Sequence, residues 1–154
     1  MLVVDDEPDV RRSMGDVLRG IPGVTPEEVG SVAEALPLLR ARRYDMVVTD
    51  ERLKDGSGVD LLRWVGARDP VTGLVLMSAH HDDPALLMRA INEARVHHFA
   101  KKPWEPAQLA ARLRSLLAEQ RVFERRLRAF AQASTQAVPA EPASAADAKL
   151  WPPS

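Results

Sequence analysis

Four short apolar runs, each stopped by polar residues, constrain this chain most. They are Leu2–Val4 before Asp5, Met46–Thr49 before Asp50, Gly73–Met77 before Ser78, and Val96–Ala100 before Lys101-Lys102. They read as continuous apolar segments, not as alternations of apolar and polar residues. That is the pattern of strands buried on both faces. A weaker edge strand is expected near Val29. Amphipathic stretches separate the runs: Val10, Met14, Val17 and Leu18; Ala35, Leu36 and Leu39; Val59, Leu61, Leu62 and Val65; Leu86, Leu87, Ala90 and Ile91. Strands alternating with helices imply an α/β chain with a parallel sheet covered on both faces.

Local signals place the helix ends. Pro8 suits a first helical position, and Pro22-Gly23 breaks the chain after the first helix. Ser31 with Glu34 reads as a capping box. Pro37 conflicts with it, because proline removes a helical hydrogen bond, so this helix is expected to kink or to start late. Asp82 or Asp83 is expected to cap the fourth helix, and Pro106 to open the fifth. Gly56 and Gly58 are placed in the loop after Asp50.

In a parallel sheet of this kind, ligands bind beyond the carboxyl ends of the strands. There the sequence puts Asp5-Asp6, Asp50, Ser78 and Lys102. Each is unremarkable alone: an acidic pair can cap a helix, and a lysine before a proline can be solvated. Together they put three carboxylates, a hydroxyl and an ammonium in one shallow site. Clustered carboxylates must be neutralised by a proton or a cation, and an all-oxygen set suits Mg²⁺. An aspartate beside such a cation can attack a phosphoryl group and form an acyl phosphate. No GxxxxGK[ST] or GxGxxG loop for a nucleotide is present.

These residues resemble the receiver domain of two-component response regulators. The resemblance is carried by Val3-Val4-Asp5-Asp6-Glu7-Pro8, by Met46-Val47-Val48-Thr49-Asp50 with Gly58 eight residues on, by Val75-Leu76-Met77-Ser78-Ala79, and by Phe99-Ala100-Lys101-Lys102-Pro103-Trp104. It implies a flavodoxin-like, doubly wound five-stranded parallel sheet of order 2-1-3-4-5, with five helices, over about residues 1–120. It implies Asp50 as phosphoacceptor. It implies Asp5, Asp6, Asp50 and the backbone carbonyl of Arg52 as Mg²⁺ ligands, with Asp6 the more direct of the acidic pair. Lys102 matches the phosphate-binding lysine, Ser78 the switch hydroxyl and Phe99 the switch aromatic. A sensor histidine kinase is the implied donor, slow hydrolysis the implied end, and the face of helix 4, strand 5 and helix 5 the implied output. The loop after Asp50 departs from the family pattern, with Leu53-Lys54 where Met-Pro is common. Arg52 and His80 flank the site and are expected to tune acyl-phosphate lifetime.

The fifth helix is expected to run from Pro106 to about Ala131, longer than a receiver needs. Leu109, Leu113, Leu116, Gln120, Phe123, Leu127 and Phe130 follow heptad spacing with one polar break. Residues 121–131 are therefore expected to be a helical extension that forms a coiled coil, and the chain a homodimer through it. Residues 132–154, rich in Ala, Pro and Ser, are expected to be disordered. The chain is read as a receiver acting on a downstream effector protein or domain, or as the receiver of a longer regulator or hybrid kinase. An aspartyl-nucleophile phosphohydrolase fits less well, since such enzymes usually carry Asp-x-Asp at the first strand end.

Charge and composition exclude several other classes. The net charge of −1 disfavours direct nucleic-acid binding, although Arg121, Arg125, Arg126 and Arg128 make the extension basic. With no cysteine, zinc ribbons, iron–sulfur sites and thiol chemistry are excluded. No apolar run approaches the roughly 20 residues of a membrane span, and a cytoplasmic location is expected.

Overall fold

A computed structural model describes residues 1–137. In chain order its elements are β1 (Leu2–Val4), α1 (Pro8–Arg19), β2 (Glu27–Val29), α2 (Val32–Ala41), β3 (Met46–Asp50), β4 (Arg52–Leu53), β5 (Gly56–Ser57), α3 (Gly58–Arg68), β6 (Gly73–Ser78), α4 (Pro84–Asn92), β7 (His98–Lys101) and α5 (Pro106–Ala137). Five strands form a parallel sheet in the order β2-β1-β3-β6-β7, which is 2-1-3-4-5 when the sheet strands alone are counted. β4 and β5 form a separate antiparallel hairpin within the loop expected after Asp50.

Strand alternation divides the core into two layers. Leu2, Val4, Val47, Leu74 and Leu76 face α2, α3 and α4. Val3, Met46, Val48, Val75 and Met77 face α1 and α5. All ten are at most 3% exposed, so both faces of the central strands are dry, as their continuous apolar runs require.

Three local expectations are corrected. First, α2 does not start late: it begins at Val32, directly after its Ser31 cap, and Pro37 lies inside it. Its start is held from three sides. Ser31 Oγ accepts from the Glu34 N–H, Glu34 Oε2 accepts from the Gly30 N–H, and the Asp55 carboxylate takes the N–H groups of Val32 and Ala33 at 3.0 and 2.9 Å. Asp55 comes from the unforeseen hairpin, so a tertiary contact offsets the bond that proline cannot make. Second, the last sheet strand begins at His98, not Val96. The turn before it places Arg95 at φ 52°.

Third, α5 continues to Ala137, six residues beyond the expected end. Residues 132–137 contain no glycine or proline, and alanine and glutamine favour helix. Residues 138–154, the rest of the tail expected to be disordered, lie outside the described residues. The heptad seam divides in two, as expected of a helix whose first turns cover the sheet and whose excess begins at Phe123. Leu109, Leu113, Leu116 and Gln120 are buried against this domain's own core. Only Phe123, Leu127 and Phe130 stay outward, at 44%, 40% and 74% exposure. The extension is tethered by Arg43, which meets Glu124 at 3.6 Å and Asp69 at 2.5 Å.

The edge at β7 carries a pH-dependent contact. His97 Nδ1 accepts the Leu74 N–H at 2.9 Å, and the His97 N–H returns a bond to the Leu74 carbonyl at 2.8 Å. Desolvation lowers the His97 pKa, and that of His98 as well. A pKa lowered by folding means that the unfolded chain takes the proton first. The contribution is therefore complete above about pH 6.5 and is lost as pH falls through the folded-state value. Urea unfolding is expected to show His97→Gln, which can still accept from Leu74 but cannot titrate, losing less stability than wild type between pH 7 and pH 5. The difference should be well under about 1 kcal/mol, because His97 is exposed and water competes for the bond. Parallel pH profiles would show that His97 carries no linkage.

Candidate functional site

The carboxyl ends of β1, β3, β6 and β7 deliver the polar groups. Asp5 and Asp6 follow β1, Asp50 and Ser78 are the last residues of β3 and β6, and Lys102 follows β7. Parallel pairing in register brings these ends side by side, with Val4 opposite Thr49, Asp50 opposite Met77 and Ser78 opposite Lys101. The Lys102 N–H continues the ladder to the Ser78 carbonyl at 2.9 Å.

Lys102 is the hub. Its Nζ lies 2.6 Å from Asp50 Oδ1 and 3.2 Å from Asp5 Oδ2. The other Asp5 oxygen accepts the Glu7 N–H at 2.8 Å, so both Asp5 oxygens are engaged. Asp50 Oδ2 accepts the Arg52 N–H at 3.2 Å. Among the described residues, the Asp6 side chain takes no hydrogen bond, which leaves it the freest donor of the set. One ligand oxygen from each of Asp5, Asp6 and Asp50 lies within 4.8 Å of the others.

Burial acts on this charge cluster in opposing ways. Burial raises the Asp5 pKa above the usual carboxylate value, against the Glu7 N–H and Lys102, which pull it down. Burial alone would lower Lys102, but the Asp50 and Asp5 carboxylates outweigh it and hold the ammonium above its ordinary pKa. One ammonium among three carboxylates leaves net negative charge at a largely buried site. Convergent hard oxygen donors with uncompensated charge are the chemistry of a divalent-cation site, so the residues fit Mg²⁺.

The neighbouring half of the site contains a residue that the sequence reading missed. Glu51 is 8% exposed. Its Oε2 accepts the Ser78 hydroxyl. Its Oε1 lies 3.1 Å from both His80 Nδ1 and Arg52 Nε. The His80 N–H donates to Ser78 Oγ at 2.8 Å. Arg52 and His80, expected at the mouth of the pocket, are thus joined by a shared carboxylate. A signal for Glu51 did exist. Side chains alternate along β3, so Glu51 projects opposite to Asp50, towards the face that Ser78 also shares. Phe99, opposite Leu76 in the pairing of β6 with β7, is partly buried against the α2–α4 core layer.

Comparison with known proteins gives the class. Residues 1–114 match the family model of the response regulator receiver domain. The response regulator PilR of Pseudomonas aeruginosa is 34% identical over 133 residues, which cover 82% of this chain and 29% of PilR. The signal receiver domain of an HD domain-containing protein from Pseudomonas fluorescens superposes with a TM-score of 0.75 at 28% identity, covering 81% of this chain and 90% of that one. A beryllofluoride-activated DrrB receiver domain superposes with a TM-score of 0.68 at 25% identity, covering 76% and 95%. The chain belongs to the receiver domains of two-component response regulators. It spans 29% of the length of PilR and 50% of the length of a second relative, the DNA-binding response regulator MtrA of Mycolicibacterium smegmatis.

Proposed function

We propose that Asp50 accepts a phosphoryl group from a phosphohistidine of a sensor histidine kinase. The observation that carries this reading is the Asp50 carboxylate itself, 2.6 Å from Lys102 and grouped with two further aspartates. In the transfer, an Asp50 oxygen forms a bond to phosphorus as the donor's nitrogen–phosphorus bond breaks, and the imidazole leaves with the electron pair. Lys102 holds the Asp50 carboxylate in place and then faces a phosphoryl oxygen. Asp5 keeps Lys102 charged and oriented. Asp5, Asp6, Asp50 and the Arg52 carbonyl would hold Mg²⁺, which supplies positive charge against the phosphoryl oxygens when bound.

Ser78 then donates its hydroxyl proton to a phosphoryl oxygen, and Phe99 repacks into the space that Ser78 leaves. Phosphorylation biases an equilibrium between two arrangements of the α4–β7–α5 face and does not create a new fold. The outward Phe123, Leu127 and Phe130 of α5 suit pairing with the same stripe of a second copy, which gives a homodimer. The effector, joined to this chain or separate, is engaged through these surfaces. Arg52 and His80 set the acyl-phosphate lifetime by limiting water at the pocket mouth. Hydrolysis at Asp50 is slow, so the domain acts as a signal acceptor. Among the described residues no helix is long and apolar enough to cross a membrane, and a cytoplasmic location follows from the kinase partner.

The test is intact-mass measurement of the full chain after incubation with Mg²⁺ and acetyl phosphate, with fragment mapping. One added phosphoryl group on the fragment holding Asp50, lost in alkaline hydroxylamine, is expected. No added group with Mg²⁺ present overturns the assignment.

Lys102 gives an independent check through stability. Lys102→Ala leaves three aspartates facing one another without a cation. Removing one partner from a buried charge cluster is costly, and at this partly open site a loss of about 2 kcal/mol is expected in chelator. Millimolar Mg²⁺ should recover most of it by binding the folded state alone. Urea midpoints with and without Mg²⁺ measure this, and a midpoint insensitive to the substitution would remove Lys102 from the centre of the charge balance.

A further inference from the structure

A serine hydroxyl carries one proton, so it can serve one acceptor at a time. In this structure the acceptor is Glu51. The carboxylate is buried, ionic in its surroundings, and fixed on its second oxygen by Arg52 and His80 at 3.1 Å. Ser78 Oγ also accepts the His80 N–H at 2.8 Å, so the hydroxyl is held from two directions. Alternation along β3 and β6 puts this arrangement on the face shared by Val47, Leu74 and Leu76, whereas Asp50 projects with Met46 and Val48. The proton that Ser78 would offer to a phosphoryl group is committed to the other side of the sheet.

We propose that Glu51 is a positioning residue that latches Ser78 in the unphosphorylated arrangement, so that any phosphoryl group on Asp50 must compete with the Glu51 carboxylate for the Ser78 proton. The inference rests on the receiver reading above and adds to it a built-in resistance to switching. A hydrogen bond to a carboxylate is stronger than one between neutral groups. The latch therefore shifts the population towards the unswitched state and lowers the apparent affinity for whatever occupies the phosphoryl position. It also gives Arg52 and His80 a role through Glu51, since both hold the carboxylate that holds the serine.

The experiment is a double-mutant cycle read by calorimetric binding of beryllofluoride, a tetrahedral phosphoryl mimic, to the full chain in Mg²⁺. Glu51→Ala is expected to bind it about tenfold more tightly than wild type. Glu51→Gln, which keeps the shape and a weaker acceptor, should lie between the two. In a Ser78→Ala background the Glu51→Ala gain should disappear, because no hydroxyl remains to be released. Thermal melting of each protein confirms that it is folded, and Glu51→Gln carries the test if Glu51→Ala is not. Unchanged affinity on removing Glu51, or an equal gain with and without Ser78, overturns the latch while leaving the phosphoryl site intact. The second result would assign the gain to Arg52 or to charge alone. No binding by any form, wild type included, overturns the receiver reading and the latch with it.

Discussion

Asp50→Asn is expected to abolish the added phosphoryl group completely under conditions where wild type gains one. The amide is nearly isosteric with the carboxylate, so the change tests chemistry more than shape. An amide nitrogen does not attack phosphorus as a carboxylate oxygen does. The wild-type oxygens also have different partners, Lys102 Nζ at 2.6 Å and the Arg52 N–H at 3.2 Å. An asparagine can satisfy only one of these acceptor roles, and the stronger charged donor will take its oxygen. Its amide group then faces another N–H, so the Arg52 contact is lost. The substitution also removes one negative charge next to the other two aspartates. A unit charge against a divalent cation at these separations is worth a few kcal/mol at the dielectric of a protein surface, so Mg²⁺ affinity should fall by about tenfold or more. Intact mass reads the first effect and calorimetric titration with MgCl₂ the second. Retained phosphorylation in the variant would move the acceptor to another residue, with Asp6 the first to be examined by fragment mapping.

The parts of the site that the sequence disclosed are those dictated by the apolar runs. Leu2–Val4, Met46–Thr49 and Gly73–Met77 are apolar enough to be buried strands, so the residues after them had to emerge at one sheet edge. The structure places Asp5, Asp50, Ser78 and Lys102 there together. Glu51 lies one residue beyond the end of β3, where no apolar run marks it. Its N–H still bonds to the Met77 carbonyl at 3.0 Å, extending the ladder by one residue and turning its side chain to Ser78. The hairpin Arg52–Leu53 with Gly56–Ser57 goes unmarked for another reason. Two residues per strand carry no measurable alternation, and the hairpin is fixed from outside by Asp55 on the start of α2. Gln120 shows the limit of periodicity itself. Heptad spacing says which residues share a face, but not whether the domain's own core or another helix covers it. Here the domain covers the first half, Gln120 included.

Gly58→Ala is expected to be among the most destabilising small substitutions in the chain. A Cβ at Gly58 would sit 1.8 Å from the Asp50 carbonyl oxygen and 2.9 Å from its carbon. Both are backbone atoms, so no side-chain rotation relieves the overlap. The Gly58 N–H donates to the Glu51 carbonyl at 2.9 Å, which holds the start of α3 against the end of β3. Relief therefore requires α3 to back away from the strand that carries Asp50 and Glu51. A displacement of packed backbone belongs with the costly class of point changes, about 3 kcal/mol, or about 6–12 °C in melting temperature for a domain of this size. Gly23→Ala is the contrast. Gly23 has φ +76° but open space around it, so only the left-handed conformation is penalised, by about 1 kcal/mol. Thermal melting of the two variants separates steric approach from backbone conformation, and equal shifts would overturn the steric account. Because the strained contact is with Asp50 itself, Gly58→Ala should also slow phosphorylation in protein that remains folded, whereas Gly23→Ala should not. The glycine eight residues after Asp50 thus has a local physical reason: the helix that follows the hairpin starts in van der Waals contact with the backbone of Asp50, and only a hydrogen fits between them.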